Sequence, residues 1–258
     1  MSDADDNRAL AASALACLDL TSLGDADTPD SVAPLYGKMR GAWGHVAALC
    51  VWPRIVPYAK AATQGTGIKV ATVVNFPKGA AHLAIATAET RASLAYGADE
   101  VDMVFPYHAF LEGDGDRAGR MVRALKDICG SAITLKVILE TGALPGHEAI
   151  TRASHIAIDN GADFLKTSTG KIEGQATPEA AEAMLGAIKA SGAAHVGFKA
   201  SGGIRSFDQA RAYLAQADAI MGEGWAKPAT FRFGASGLAD ALAKAWAGDV
   251  TAESRTGY

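Results

Sequence analysis

Short apolar runs alternate with longer helical segments eight times along the 258 residues. Residues 15–21, 45–52, 69–74, 100–105, 134–140, the run from Phe164, 195–200 and 231–235 read as strands. Helices are expected over 29–38, with Thr28 as N-cap and Pro29 at the first position, and then over 81–96, 117–129 and 148–160. Three more follow: one opened by Thr177 and Pro178, one over 207–216, and one from the last strand to about residue 246. The strands are continuously apolar rather than alternating, as in a parallel sheet covered on both faces. Eight such units in a chain of this length predict a (β/α)8 TIM barrel, one domain over 1–258 with a short N-terminal extension. The polar stretch 248–258 reads as a mobile tail.

A repeat supports closure. Gly97-Ala98-Asp99-Glu100-Val101-Asp102 is echoed by Gly161-Ala162-Asp163-Phe164-Leu165-Lys166, 64 positions later, or two βα units. A doubly wound open sheet is the alternative, but the glycine-rich dinucleotide turn such a sheet uses is absent. Residues 217–221 read equally as a ninth short strand or as a helix end.

Composition narrows the function. A net charge of −4 gives no electrostatic reason to expect nucleic acid or an anionic membrane as partner. No uninterrupted apolar run reaches the roughly 18 residues of a span, and the acidic N-terminus is unlike a secretory signal. The three cysteines, Cys17, Cys50 and Cys129, are odd in number and widely spaced, which fits free thiols in a reducing cytoplasm.

Three of the expected strands carry a lysine within an apolar run, Lys136, Lys166 and Lys199, and a fourth carries Asp102. A strand lysine alone is explained as well by a core ion pair. Three lysines and a carboxylate facing the interior of one barrel instead form a cationic site with a proton shuttle. Burial disfavours the ammonium form, and a second cation nearby disfavours it further; a neutral lysine amine attacks a carbonyl to give a Schiff base. Strand position does not decide whether Lys166 or Lys199 is the nucleophile. The hydroxyl-rich sequel Thr167-Ser168-Thr169 favours Lys166, with Lys199 as the neighbouring cation and Asp102 as the proton carrier.

A second constellation suits an anion. Gly170-Lys171, Ser201-Gly202-Gly203-Ile204-Arg205 and Gly234-Ala235-Ser236-Gly237 each follow a strand, the last two after the seventh and eighth. Barrel phosphate sites commonly use those loops, since glycine lets backbone N–H groups approach the anion. Neither a metal site nor a cofactor is expected. His147-Glu148 lacks the second histidine of a zinc helix, and Glu112-Gly113-Asp114-Gly115-Asp116 is too short for a calcium loop. Cys50 has no nucleophile signature around it and reads as a buried thiol.

Across nearly its whole length the chain resembles the 2-deoxyribose-5-phosphate aldolase family. The resemblance is carried by Leu18-Asp19-Leu20-Thr21, Cys50-Val51-Trp52-Pro53-Arg54, Asn75-Phe76-Pro77, the stretch from Gly97 to Pro106, Leu135-Lys136-Val137-Ile138 and Glu140-Thr141-Gly142. The remaining pieces are the stretch from Phe164 to Lys171, Val196-Gly197-Phe198-Lys199, and Arg232-Phe233-Gly234-Ala235-Ser236. The resemblance implies a barrel that reversibly cleaves 2-deoxy-D-ribose 5-phosphate to glyceraldehyde 3-phosphate and acetaldehyde. It implies Lys166 as the Schiff-base lysine, Lys199 as the lysine that lowers its pKa, and Asp102 as the proton relay.

By the same resemblance Asp19, Thr21 and Cys50 line the substrate site, and Lys136 and Thr169 are counted with them. Gly170, Lys171, Gly202, Gly203, Gly234 and Ser236 would hold the phosphate, a terminal tyrosine, here Tyr258, would assist enamine protonation, and a homodimer is the family-level expectation. Two positions depart from the family pattern: Ala200 stands where proline is common, and Gly237 where a second serine is common. The rival readings are another Schiff-base barrel lyase of the transaldolase kind, an isomerase barrel with a carboxylate base, and a non-catalytic phosphosugar-binding barrel.

Overall fold

The computed structural model describes residues 3–173, 176–193 and 195–249. Eight parallel strands close into a barrel: β1 (Leu18–Ser22), β2 (Ala48–Val51), β3 (Lys69–Val74), β4 (Glu100–Val104), β5 (Thr134–Ile138), β6 (Phe164–Lys166), β7 (Gly197–Ser201) and β8 (Phe231–Ala235). Each pairs with the next in sequence, and β8 returns to β1 through Leu18↔Phe233 and Asp19↔Gly234. The helices are α1 (Asp3–Ala16), α2 (Pro29–Tyr36), α3 (Val56–Thr63), α4 (Leu83–Ala95), α5 (Tyr107–Leu111) and α6 (Gly115–Cys129). They continue with α7 (Gly146–Asp159), α8 (Pro178–Ala190), α9 (Phe207–Met221) and α10 (Leu238–Ala247). A two-stranded hairpin, Arg40–Gly41 with Gly44–His45, precedes β2. No helix among the described residues is long and apolar enough to cross a membrane.

Local chemistry sets several boundaries. Thr28 and Thr177 cap α2 and α8 with a proline just inside each helix, as expected, and Ser206 with Gln209 forms a capping box on α9. Residues 217–221 complete α9 rather than forming a strand; Gly222, at φ 116°, stops the helix by donating to the Asp218 carbonyl. The start of the chain differs from expectation. Leu15 and Ala16 end α1, and β1 begins only at Leu18, because Ala11, Ala14 and Leu15 form a buried stripe at helical spacing. The short α3 and α5, each opened near a proline, lay in segments that carried no expected element.

The main apolar core lies between the barrel and its helices, and includes Leu49, Val101, Leu135, Leu165 and Phe198 from the strands with Met184, Leu185 and Leu214 from α8 and α9. The barrel interior is split. On one arc Ala48, Cys50, Ala71 and Val73, with Leu23, form a separate small apolar cluster. From β4 round to β1 the interior is charged. The Phe164 ring occupies space that a Cβ on Gly197 would enter, at 2.3 Å, so glycine there is a packing requirement.

Candidate active site

Strand register explains why the charged side chains meet. Asp102 on β4 lies opposite Lys136 on β5, Lys166 on β6 opposite Lys199 on β7, and Lys199 opposite Arg232 on β8. Asp102 Oδ2 accepts from both Lys166 Nζ and Lys199 Nζ at 2.9 Å, while its Oδ1 accepts from Lys136 Nζ at 2.8 Å. Lys199 also meets Asp19 Oδ2 at 2.5 Å. Lys136 lies 2.5 Å from Glu100 and 3.4 Å from Asp19. Arg232 closes the network against Asp19 at 2.6 Å and Glu100 at 2.9 Å.

These ion pairs join four cations, Lys136, Lys166, Lys199 and Arg232, to three carboxylates, Asp19, Glu100 and Asp102. Fully ionised, the cluster would carry one unbalanced positive charge in a desolvated interior. Leaving one lysine neutral would remove it, and Lys166 is the lysine whose pKa the surroundings lower. Burial lowers its pKa; Asp102 opposes this, and the neighbouring Lys199 ammonium adds to it. For Lys199 and Lys136 burial also favours the neutral amine, but their carboxylates outweigh it and hold both pKa values above the usual lysine range. Burial likewise resists charge on Asp19 and Asp102, but the cations prevail and keep both well below the usual carboxylate range. Of the three lysines, Lys166 alone keeps some exposure, at 2 % against 0 % for Lys136 and Lys199.

Above this cluster, at the C-terminal ends of the strands, lies a cavity of about 620 Å³. Thr21, Thr169, Gly170, Lys171, Gly202, Gly203, Gly234 and Ser236 all line it, which unites the glycine loops singled out in the sequence. Gly170, Gly202 and Gly203 have φ values of 76°, 94° and 79°, in the region open to glycine. Gly234 is needed for a different reason: a Cβ there would lie 2.8 Å from Ser201 Oγ and 2.9 Å from Lys199 Cε. Lys171 Nζ pairs with the exposed Asp25 at 2.8 Å, on the loop after β1.

The other residues singled out from sequence take varied positions. Thr21 Oγ1 donates to the Asp19 carbonyl at 2.8 Å. Cys50 is fully buried on the apolar arc; burial raises its thiol pKa, the Asp102 carboxylate adds to this, and the three lysines oppose it. Asp19, Lys136, Asp102, Lys166 and Lys199 are buried within the ion-pair network and, like Cys50, are not among the residues lining the cavity. Tyr258 lies outside the described residues. Two network members had no role assigned from sequence, Glu100 and Arg232. Period-two spacing on β4, which puts Glu100 on the face of Asp102, was a usable signal for the first. Glu140 was also passed over. It was expected to end a strand, but it stands beyond β5 in the left-handed region at φ 55°, fully buried, with its carboxylate on Thr169.

A closed βα barrel with a desolvated lysine among paired charges, beneath a glycine-lined cavity, is the architecture of a barrel aldolase. The chain belongs to the DeoC/LacD family of aldolases, which are lyases: the family model matches residues 38–240. It is 47 % identical over 252 residues to a deoxyribose-phosphate aldolase of Agrobacterium fabrum, covering 97 % of each chain. Among solved structures it is similar to a deoxyribose-phosphate aldolase, so described provisionally, from Toxoplasma gondii, with a TM-score of 0.85 at 25 % identity over 96 % of this chain and 98 % of that one. A protein so described from Coccidioides immitis gives 0.77 at 28 %, covering 91 % and 86 %.

Proposed function

We propose that this aldolase cleaves 2-deoxy-D-ribose 5-phosphate reversibly to D-glyceraldehyde 3-phosphate and acetaldehyde, through a Schiff base on Lys166. The observation that carries the reading is the geometry of the buried cluster, in which Lys166 and Lys199 share one Asp102 oxygen and the surroundings lower the pKa of Lys166 while raising that of Lys199. The neutral amine attacks C1 of the open-chain sugar, and loss of water gives a protonated imine. Removal of the proton from the C3 hydroxyl then breaks the C2–C3 bond. Glyceraldehyde 3-phosphate leaves, and the electron pair stays as an enamine of acetaldehyde. Protonation at C2 and hydrolysis release acetaldehyde and the free lysine.

Asp102 Oδ2 touches both nitrogens, so a proton passes between Lys166 and Lys199 across one oxygen; water extends that relay to the substrate hydroxyl. Thr21 and Thr169 form walls around the sugar, with Cys50 proposed to back the site from beneath, and Asp19 and Lys136 act from below by fixing the charges of Lys199 and Asp102. The glycine loops with Ser236 and Lys171 take the phosphate, after Lys171 exchanges Asp25 for it. Tyr258 is proposed to reach the site and assist protonation of the enamine. The 47 % identity to a deoxyribose-phosphate aldolase supports this choice of substrate over that of another Schiff-base barrel lyase.

The enzyme needs no cofactor in this scheme. We place it in the cytoplasm, consistent with three buried free thiols, as a single-domain chain that associates as a homodimer. Sedimentation at graded concentration tests the homodimer. The experiment for the reaction is borohydride reduction in the presence of acetaldehyde, followed by peptide mass spectrometry. An ethyl adduct on Lys166 is the expected result; no adduct there, or one on Lys136 or Lys199, overturns the assignment.

A further inference from the structure

Glu140 is a buried carboxylate outside the cation cluster, and the reaction scheme gives it no work. Its backbone is left-handed, at φ 55° and ψ 59°, a conformation that side-chain-bearing residues adopt only when their surroundings impose it. The imposed position has an evident result. Glu140 Oε2 accepts from Thr169 Oγ1 at 2.5 Å, and Oε1 accepts from the Thr169 N–H at 3.1 Å. The loops carrying them are tied together a second time, since the Thr141 N–H donates to the Thr167 carbonyl at 2.9 Å. Thr169 lines the cavity, one residue before Gly170, and its Oγ1 also accepts from the Lys171 N–H at 3.1 Å.

A hydroxyl has one proton and two lone pairs, and an ionised carboxylate has only acceptors. Burial raises the Glu140 pKa, while its two hydrogen bonds from Thr169 and the nearby Lys166 oppose this; with Glu140 ionised, the Thr169 proton is committed to it and one lone pair to the Lys171 N–H. What remains for the cavity is a lone pair. We infer that Glu140 is a positioning residue that fixes Thr169 as a hydrogen-bond acceptor, so that Thr169 selects substrates presenting a hydroxyl there. A phosphate oxygen, itself an acceptor, is disfavoured at that point. The hydroxyl concerned is the one beside the phosphate-bearing carbon: C4 of the sugar, or C2 of glyceraldehyde 3-phosphate. This inference rests on the proposed substrate and adds a determinant of its recognition.

The test is a specificity ratio in the synthetic direction with acetaldehyde as donor: kcat/KM for glyceraldehyde 3-phosphate divided by kcat/KM for 3-phosphooxypropanal, which lacks the hydroxyl. Glu140→Gln keeps the shape but brings an amide that donates to Thr169 Oγ1, turning the threonine proton toward the cavity. The substrate hydroxyl can also accept, but in a less favourable geometry, so the ratio is expected to fall about threefold. Thr169→Val, which removes the hydroxyl and tests the idea even if Glu140→Gln fails to fold, should lower the ratio about tenfold, whereas Thr169→Ser should retain it. Adding Glu140→Gln to Thr169→Val should change the ratio less than about twofold. Equal losses for both acceptors in either single variant would overturn the inference, since a merely structural role lowers both rates together. Failure of the proposed function is distinguishable, because it appears in the wild-type protein as absence of the borohydride adduct on Lys166.

Discussion

Replacing Lys199 by methionine tests the charge argument directly. Lys166 and Lys199 each lie 2.9 Å from the same Asp102 oxygen, so their nitrogens are no more than about 5.8 Å apart. At an effective dielectric constant of about 20, two like charges at roughly 5 Å repel by about 3 kcal/mol, or about two pKa units. Removing Lys199 lifts that repulsion and leaves the Asp102 oxygen to Lys166. It also leaves three potential cations for three carboxylates, so the cluster balances only if Lys166 is protonated. The expected pKa of Lys166 therefore rises, and the neutral fraction at pH 7 falls by up to about 100-fold. Both kcat/KM for cleavage, followed by coupled reduction of the triose phosphate, and the rate of borohydride trapping with acetaldehyde should fall by about that factor at pH 7. The loss should shrink as pH rises, with the acid limb of the profile displaced upward. A trapping rate that drops equally at every pH, or an acid limb that does not move, would refute the reasoning.

Lys166→Met should abolish cleavage yet stabilise the fold. The Lys166 pKa is lower in the folded protein than in the unfolded chain, so folding is penalised once pH falls below the ordinary lysine value, and the penalty grows until pH passes below the folded-state value. Removing it is expected to add about 1 kcal/mol and 2–4 °C in Tm, which thermal melts of the two proteins would show. Gly237→Ser has room, since nothing lies within 4 Å of a Cβ there; a new donor at the cavity rim is worth about 1 kcal/mol, or about fivefold. The ratio of kcat/KM for deoxyribose 5-phosphate over deoxyribose should rise by that factor, and a fall would count against a phosphate site in these loops. Asp25→Asn removes the carboxylate that occupies Lys171. It should lower KM for the phosphorylated substrate about threefold at most, with no change for the free sugar.

The barrel was legible because each strand announces itself by continuous hydrophobicity and a terminating proline or glycine, and because β4 and β6 repeat one another. The meeting of Lys166, Lys199 and Asp102 was legible too, because period two and a closed parallel sheet leave their side chains no other interior to share. Arg232 and Glu100 were harder to see. Each stands near the end of its strand, where a charge normally reaches solvent, and only the closed barrel shows that each is buried against the other. Glu140 was hidden by backbone geometry. Its run looks like a strand two residues too long, and nothing in the residue type forecasts a turn into the left-handed region. The short helices α3 and α5 follow prolines that read as strand stops, and too few residues remain in each for a helical period to emerge.

Burial presses all three lysines toward the neutral amine, and the division of the barrel interior explains why it prevails only at Lys166. The apolar arc on β2 and β3 offers Lys166 no ion-pair partner, only the Cys50 thiol, so its main electrostatic surroundings come from the opposite arc. There Asp102 faces three lysine nitrogens with two oxygens, and Lys136 holds one of them. Lys199 has Asp19 as a second carboxylate, which Arg232 in turn orients, whereas Lys166 has only a share of the remaining oxygen. Its reactivity is thus set by an unequal distribution of carboxylates, and the buried layer of Glu100, Asp19 and Arg232 fixes that distribution. A substitution in that layer, far from any substrate atom, would then move the pH profile of the whole enzyme by altering which lysine goes without a partner.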